Sequence, residues 1–417
     1  MDLVHRYGEW IKNKLPDNPK AAGRYIRLGL VLESFAKKHL GDKNVPAPYR
    51  DLNVLALNGM RHTLEHPETA AWTNLFTPVE ILQTFGLNCL SIEMMGSFLA
   101  GFTIEDWCID QAEASGIAPT LCSYHKSFIG AVENGLIPNP KCAVTTSIVC
   151  DANLQTFRYT ASQGNVPLTL LDIPNAYSKD GVHYVVTQLK AWIASLEDLT
   201  HQHFDEVKLK AALSRENASF AAYAHFLDLT RTRAYPSTLT LQMFVLYASH
   251  LIIGSPEALA FFKALEADAK TRPMFSGKRL FWLHVLPFYQ PALKAAFNLS
   301  QKYQIQATDM NLDYNKPLDV EHPLEALAEK MMKNIFVGPL TRRIAAERDL
   351  IKGTGADGVI AFNHWGCKQM AGAAALMKDA LKDTGVPFLI LDGDGIDPRN
   401  TPEGQIKTRL EAFLEML

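Results

Sequence analysis

Four cysteines, Cys89, Cys122, Cys150 and Cys367, are the residues whose chemistry must be accounted for first. Thiolates far apart in sequence and gathered by folding can ligate an iron–sulfur cluster, which takes four such ligands. Spacing alone does not select that use, because the chain has no CxxC pair or adjacent cysteines. Structural zinc sites draw their ligands in close pairs, so zinc ranks behind iron–sulfur. A free cysteine also serves as a small buried hydrophobe, and Cys108 and Cys142 are read that way. His364 and Trp365 stand just before Cys367. The histidine is the candidate catalytic residue, placed to donate a hydrogen bond to a cluster sulfur or substrate, or simply to satisfy the turn. The tryptophan reads as a lid that keeps water off.

Two strand–turn–helix units must position these groups. In the stretch ADGVIAFNHWGC, residues 358–362 form an apolar β-branched run that reads as a buried parallel strand ending near Cys367. A helix is expected over residues 368–384, with Gly385 as its stop and Pro387 opening a second strand that closes on Asp392. The same pattern surrounds Cys150: strand AVTTSIVC, helix, stop at Gly164, Val166-Pro167, and a strand closing on Asp172. Open α/β sheets carry ligands at this edge. Helix-terminal N–H groups there favour a thiolate over a thiol. A repeat whose shared polar feature is a cysteine is harder to explain by packing alone. DGDGID, residues 392–397, alternates carboxylates with glycines but lacks the closing Glu of a calcium loop. Turn formation is its favoured role, with Asp392 and Asp394 as minor site candidates.

The expected class is α/β: two similar domains with parallel sheets flanked by helices, plus N-terminal and central helical segments. The divisions are an N-terminal helical segment over residues 1–77, a first α/β domain over 78–181, a helical insert over 182–276 and a second α/β domain over 277–417. Within the insert, residues 208–226 and 255–272 are amphipathic. Near the end of the chain, Thr401 is placed to cap a last helix. A formal charge of −3 over 417 residues makes no electrostatic case for nucleic acid or an anionic membrane. No apolar run is long enough to span a bilayer and the first residues lack a secretory core, so a cytoplasmic protein is expected. Six cysteines are too few for a disulfide scaffold of this length. GxxxxGK[ST], GxSxG and HExxH are all absent. If ATP is used, it is hydrolysed on another chain.

The stretches FGLNCLSIE, CSYHKSFIGAVENGLIPNPKCAVTTSIVCDA, NHWGCKQMAGAAALMKDALKDTGVPFLILDGDGIDPRN and GQIKTRLEAFLEML resemble the 2-hydroxyacyl-CoA dehydratase and benzoyl-CoA reductase family. The resemblance runs from about residue 78 to the C-terminus. It implies a [4Fe–4S] cluster at the junction of two α/β domains, with Cys122, Cys150 and Cys367 as shared ligands and Cys89 as an additional one. A fourth cysteine implies a closed cluster, and so an electron-relay chain beside a homologous substrate-binding subunit. The implied reaction is dehydration of a 2-hydroxyacyl-CoA to a 2-enoyl-CoA through a ketyl radical. A separate ATP-hydrolysing iron–sulfur activator would supply the electron. An ATP-dependent reductase of the benzoyl-CoA reductase or double-cubane type is the alternative within the family. Outside it stands a non-catalytic α/β protein that binds an acyl-CoA or a partner and buries inert cysteines.

Overall fold

Two parallel four-stranded sheets, drawn from opposite halves of the chain, share one strand order. The structure, a computed structural model, describes residues 3–417. The first sheet comprises β1 (Ala70–Thr73), β2 (Asn88–Ser91), β3 (Cys142–Thr146) and β4 (Leu168–Leu171), arranged β2-β1-β3-β4. The second comprises β5 (Lys278–Leu283), β6 (Tyr303–Thr308), β7 (Gly358–His364) and β8 (Phe388–Gly393), arranged β6-β5-β7-β8. In each, the chain builds outward on one side of its first strand and then returns to the other. That reversal opens a crevice at the carboxyl ends of the strands, between β1 and β3 and between β5 and β7.

Strand β7, GVIAFNH, is buried along most of its length, as a parallel strand covered on both faces should be. One apolar core joins the N-terminal helices Pro19–Leu40 and Ala47–Glu65 to Trp72 of β1, to Phe281 and Trp282 of β5, and to Phe362 of β7. A second core lies beneath the first sheet, where Val144 and Leu171 meet Leu189 and Leu327. Helices Lys179–Thr200, Glu206–Thr230, Leu239–Leu246 and Pro256–Ala269 make up the central region, as the uninterrupted amphipathic pattern predicts. A buried ion cluster ties three distant helices together. Lys330, on helix Pro323–Lys333, lies 2.6 Å from both Glu80, on helix Val79–Thr84, and Glu216, on helix Glu206–Thr230.

Three local expectations are corrected. Strand β1 lies inside the stretch read as purely helical, because AAWT is too short to show a period. The helix expected over residues 368–384 breaks into Lys368–Ala371, Ala374–Ala380 and a 3₁₀ turn at Lys382–Thr384, with Gly372, a poor helix former, at the break. The helix after Cys150 stops on Asn165 in the left-handed region, φ 50°, one residue beyond Gly164. Among the described residues, no helix is long and apolar enough to cross a membrane.

Candidate active site

Cys122, Cys150 and Cys367 each occupy the N-cap of a helix: Ser123–Glu133, Asp151–Gly164 and Lys368–Ala371 respectively. Cys150 follows β3 and Cys367 follows β7, so the two stand at equivalent points of the two sheets. Cys122 enters from the connection that precedes β3. All three line one cavity of about 130 Å³ between the halves. Direct bonds close the halves around it. Ser123 Oγ donates to Asp394 Oδ1 at 2.5 Å, and Gln369 Nε2 donates to the Val149 carbonyl at 2.8 Å. Gly366 makes the close approach possible: its φ is +80°, and a Cβ there would fall 2.7 Å from the Cys122 backbone nitrogen.

Each of these cysteines faces a histidine. Cys122 Sγ lies 3.1 Å from His364 Nε2, Cys367 Sγ 3.4 Å from His284 Nε2, and Cys150 Sγ 3.8 Å from His125 Nε2. The remaining ring nitrogens fix two of the tautomers. His364 Nδ1 accepts from the Gly395 N–H at 2.9 Å, so its Nε2 carries the proton and donates to Cys122. His284 Nδ1 lies 3.3 Å from the Phe362 carbonyl and must donate, leaving the Nε2 lone pair toward Cys367. His125 Nδ1 bonds Thr156 Oγ1 at 2.9 Å.

Burial governs the charge of these groups. It depresses His125 to about 3, and His284 and His364 to about 4, so all three rings are neutral at pH 7. It also pushes Cys150 up to about 11, Cys367 up, and Cys122 well above the ordinary thiol value. The helix-end amides do act on the sulfurs, those of Asn153 and Ala152 on Cys150 and those of Met370 and Gln369 on Cys367, but they do not outweigh burial. The expectation that the helix ends favour thiolates is corrected accordingly: at these three sulfurs burial outweighs the helix-end amides.

Cys89, expected alongside these three, lies elsewhere. It sits in β2, in register with Ala71 of β1, which is in turn in register with Cys142 at the start of β3. That row is two residues short of the carboxyl edge, and the Cys89 thiol is held up by burial, then by Cys142 and Glu80. Cys108 is buried on helix Glu105–Ala114. Trp365 is 50% exposed and does not line the cavity, so it is no lid. DGDGID is architectural: Asp394 Oδ1 accepts from the Ser123 hydroxyl and from the Ile396 and Asp397 N–H groups. Thr401 serves this loop rather than the last helix, its Oγ1 accepting from the Asp394 N–H at 2.8 Å.

Sequence reasoning missed His125, His284, Glu93, Arg343 and the apolar wall. His125 could have been found three residues past Cys122 on the same helix, and His284 at the carboxyl end of β5. Glu93 lines the cavity, its Oε2 accepting from Ser91 Oγ at 2.7 Å, and burial raises its pKa. Among the described residues, no group of three or more His, Cys, Asp or Glu side chains is arranged to hold a single metal ion. A polynuclear cluster brings its own sulfide, so its cysteines must be spread around it rather than converge on a point. Three thiols on separate helix ends around one cavity, with the orphaned Oδ1 of buried Asn153 in the wall, suit that geometry.

Comparison with known proteins gives the affiliation. The model of the family "2-hydroxyglutaryl-CoA dehydratase, D-component" matches residues 74–417. The chain is similar to the (R)-phenyllactyl-CoA dehydratase alpha subunit of Clostridium sporogenes, 23% identical over 406 residues, or 91% of this chain and 97% of that one. It is likewise similar to the (R)-2-hydroxyglutaryl-CoA dehydratase subunit alpha of Acidaminococcus fermentans, 23% identical over 300 residues, covering 67% and 61% of the two chains. A benzoyl-CoA reductase subunit of Thauera aromatica is 22% identical over 353 residues, covering 74% and 79%. The chain belongs to the 2-hydroxyglutaryl-CoA dehydratase D-component family, a family of hydro-lyases.

Proposed function

We propose, with membership of that family as the premise, that this chain is the substrate-binding subunit of an ATP-activated 2-hydroxyacyl-CoA dehydratase that forms a 2-enoyl-CoA. A [4Fe–4S] cluster would be held by Cys122, Cys150 and Cys367. One observation carries the reading: these three cysteines, from matched points of two sheets and one further helix end, line a single cavity whose other walls are largely apolar. Cys89 is not among the residues lining that cavity, so Cys122, Cys150 and Cys367 would be the thiols that hold the cluster there. This replaces the electron-relay role implied by a fourth cysteine. The relatives are themselves named as alpha subunits of dehydratases, so a second subunit is part of the reading.

When bound, the cluster supplies low-potential one-electron chemistry, which a dehydration needs when the β-proton is hardly acidic. The chain's own residues do the rest. His364 Nε2 donates to Cys122 and steadies negative charge on that sulfur. Glu93, its pKa raised by burial and its Oε2 accepting from Ser91, places a carboxyl at the wall where the hydroxyl would depart. Phe76, Leu246 and Phe336 exclude water from the reacting thioester. Partners of this reading are a homologous second subunit and an ATP-hydrolysing iron–sulfur activator. The complex is assigned to the reducing cytoplasm, which keeps cysteines available as thiols and metal ligands.

Anaerobic purification tests the proposal. About four irons per chain with a cubane spectrum support it, and a colourless protein that iron and sulfide leave unchanged contradicts it. The likeness to a benzoyl-CoA reductase subunit favours a second reading, an ATP-dependent reductase. The product separates the two, since a dehydratase returns the electron and forms an enoyl thioester with no net reduction.

A further inference from the structure

The level of similarity to the relatives does not distinguish an aryl from a dicarboxylic acyl group, because identity is 23% to both the phenyllactyl-CoA and the 2-hydroxyglutaryl-CoA dehydratase subunits. The cavity wall does distinguish them. Its apolar part, which makes up most of the wall, includes Phe76, Met243, Leu246, Leu286, Met310 and Phe336. Methionines among aromatic and branched side chains give an apolar surface that adapts to shape. Arg343 is the one Lys or Arg of this wall among the described residues. It is already committed. Its guanidinium lies 3.1 Å from Asp309 Oδ2 and 3.4 Å from Glu347 Oε1, both carboxylates fully buried, and it stacks 4.7 Å over the Phe336 ring. Asp309 in turn accepts the His284 backbone N–H at 2.8 Å, so this cluster is part of the frame that holds the site. Glu93 and Tyr124, the other ionisable groups of the wall apart from the cysteines and histidines, are acids and supply no positive charge to receive an anion.

A carboxylate carried into this cavity would lose its water and find no unmatched cation, which is costly. A methyl side chain would leave much of the apolar wall unfilled. We infer that the acyl group accepted here is bulky, apolar and uncharged, a branched-alkyl or aryl 2-hydroxyacyl thioester of CoA, and that a second carboxylate is rejected. The inference rests on the dehydratase reading and narrows its substrate class.

Equilibrium binding to the anaerobically purified full chain tests it without turnover. The probes are (R)-phenyllactyl-CoA, (R)-2-hydroxyisocaproyl-CoA, (R)-lactoyl-CoA and (R)-2-hydroxyglutaryl-CoA, with free CoA as baseline. The phenyllactyl and isocaproyl esters should bind about 10-fold tighter than the lactoyl ester and about 100-fold tighter than the 2-hydroxyglutaryl ester. Met310→Ala should weaken the two bulky esters and leave the lactoyl ester unchanged. Tightest binding of the 2-hydroxyglutaryl or lactoyl ester, or an equal effect of Met310→Ala on all four, overturns the inference alone. If no ester binds more tightly than free CoA, the dehydratase reading fails and the inference fails with it.

Discussion

His284 and His364 present the same ring nitrogen to a cysteine in opposite protonation states. Their ring centroids are 6.4 Å apart. The Gly395 amide forces His364 to donate through Nε2 to Cys122, while the Phe362 carbonyl forces His284 to offer a lone pair to Cys367. Both rings stand at strand ends of the second sheet, yet they treat the sulfurs they face differently. The difference comes from which backbone group, amide or carbonyl, lies behind each ring.

An N–H donor to a ligating sulfur stabilises the reduced, more negative state of a cluster. Replacing His364 by Ala should therefore lower the midpoint potential, by about ten-fold in the one-electron reduction equilibrium, or ~59 mV. His364→Gln, which keeps an N–H donor, should restore much of it, and His284→Ala should shift it less. Redox titration followed by electron paramagnetic resonance reads the potentials, with iron content confirming that each variant is loaded. Equal potentials in wild type and His364→Ala would rule out this role.

Gly366 is where backbone conformation and close packing meet. An alanine would have to adopt a positive φ and place its Cβ 2.7 Å from the Cys122 nitrogen. Gly366→Ala should cost about 1–3 kcal/mol of stability and displace Cys122 from the cavity. Denaturant unfolding and iron content measure the two effects. Full iron at unchanged stability would show that the turn can relax.

Lys330 holds two fully buried carboxylates, Glu80 and Glu216, each with its second oxygen unpaired. Burial acts to raise both. Lys330 overrides it at Glu80, which falls below the ordinary value, whereas Glu216 stays well above. Lys330→Met strands the pair and should destabilise by about 3–5 kcal/mol. Adding Glu80→Gln and Glu216→Gln removes the buried charge and should recover much of the loss. Chemical denaturation of the three proteins is the check, and a mild single variant would mean that water reaches the cluster.

Stability should also carry a pH signature from Glu105, in the first turn of helix Glu105–Ala114. Burial, with Asp106 and Asp397 adding, pushes its carboxyl up to about 8. In the unfolded chain it ionises near the ordinary value. Between those values the folded state binds the extra proton, so this group's contribution falls as pH rises from about 4.5 to 8. Glu105→Gln mimics the neutral form and should stabilise the protein by on the order of 3 kcal/mol at pH 7. Little or no gain is expected at pH 4.5. Melting temperatures across that range test the sign, and a gain independent of pH would contradict it.

The repeat was legible because its marks are local. Cys150 and Cys367, each followed by a helix and a Val-Pro strand opening, predict equivalent sheet edges, and both sheets do share one strand order. That Cys89 lies apart from the cavity was not legible, because FGLNCLSIE has no period that reveals its register. One row decides whether a side chain reaches the carboxyl edge, and that row is set by Ala71 on a strand too short to detect. His284, Arg343 and the apolar wall were hidden for another reason. They come from segments far apart in sequence, and only tertiary packing gives them a common direction. Thr401 looked like a helix cap and instead holds Asp394, a choice made by a loop contact across the fold.

Everything proposed for the site depends on Cys122, Cys150 and Cys367, without Cys89, holding the cofactor. The decisive quantity is iron per chain in Cys89→Ser and Cys150→Ser, each purified and reconstituted anaerobically beside the wild type. Cys89→Ser should keep about four irons and an unchanged cubane spectrum, and Cys150→Ser should lose most of its iron. Loss from Cys89→Ser together with retention in Cys150→Ser would contradict the assignment.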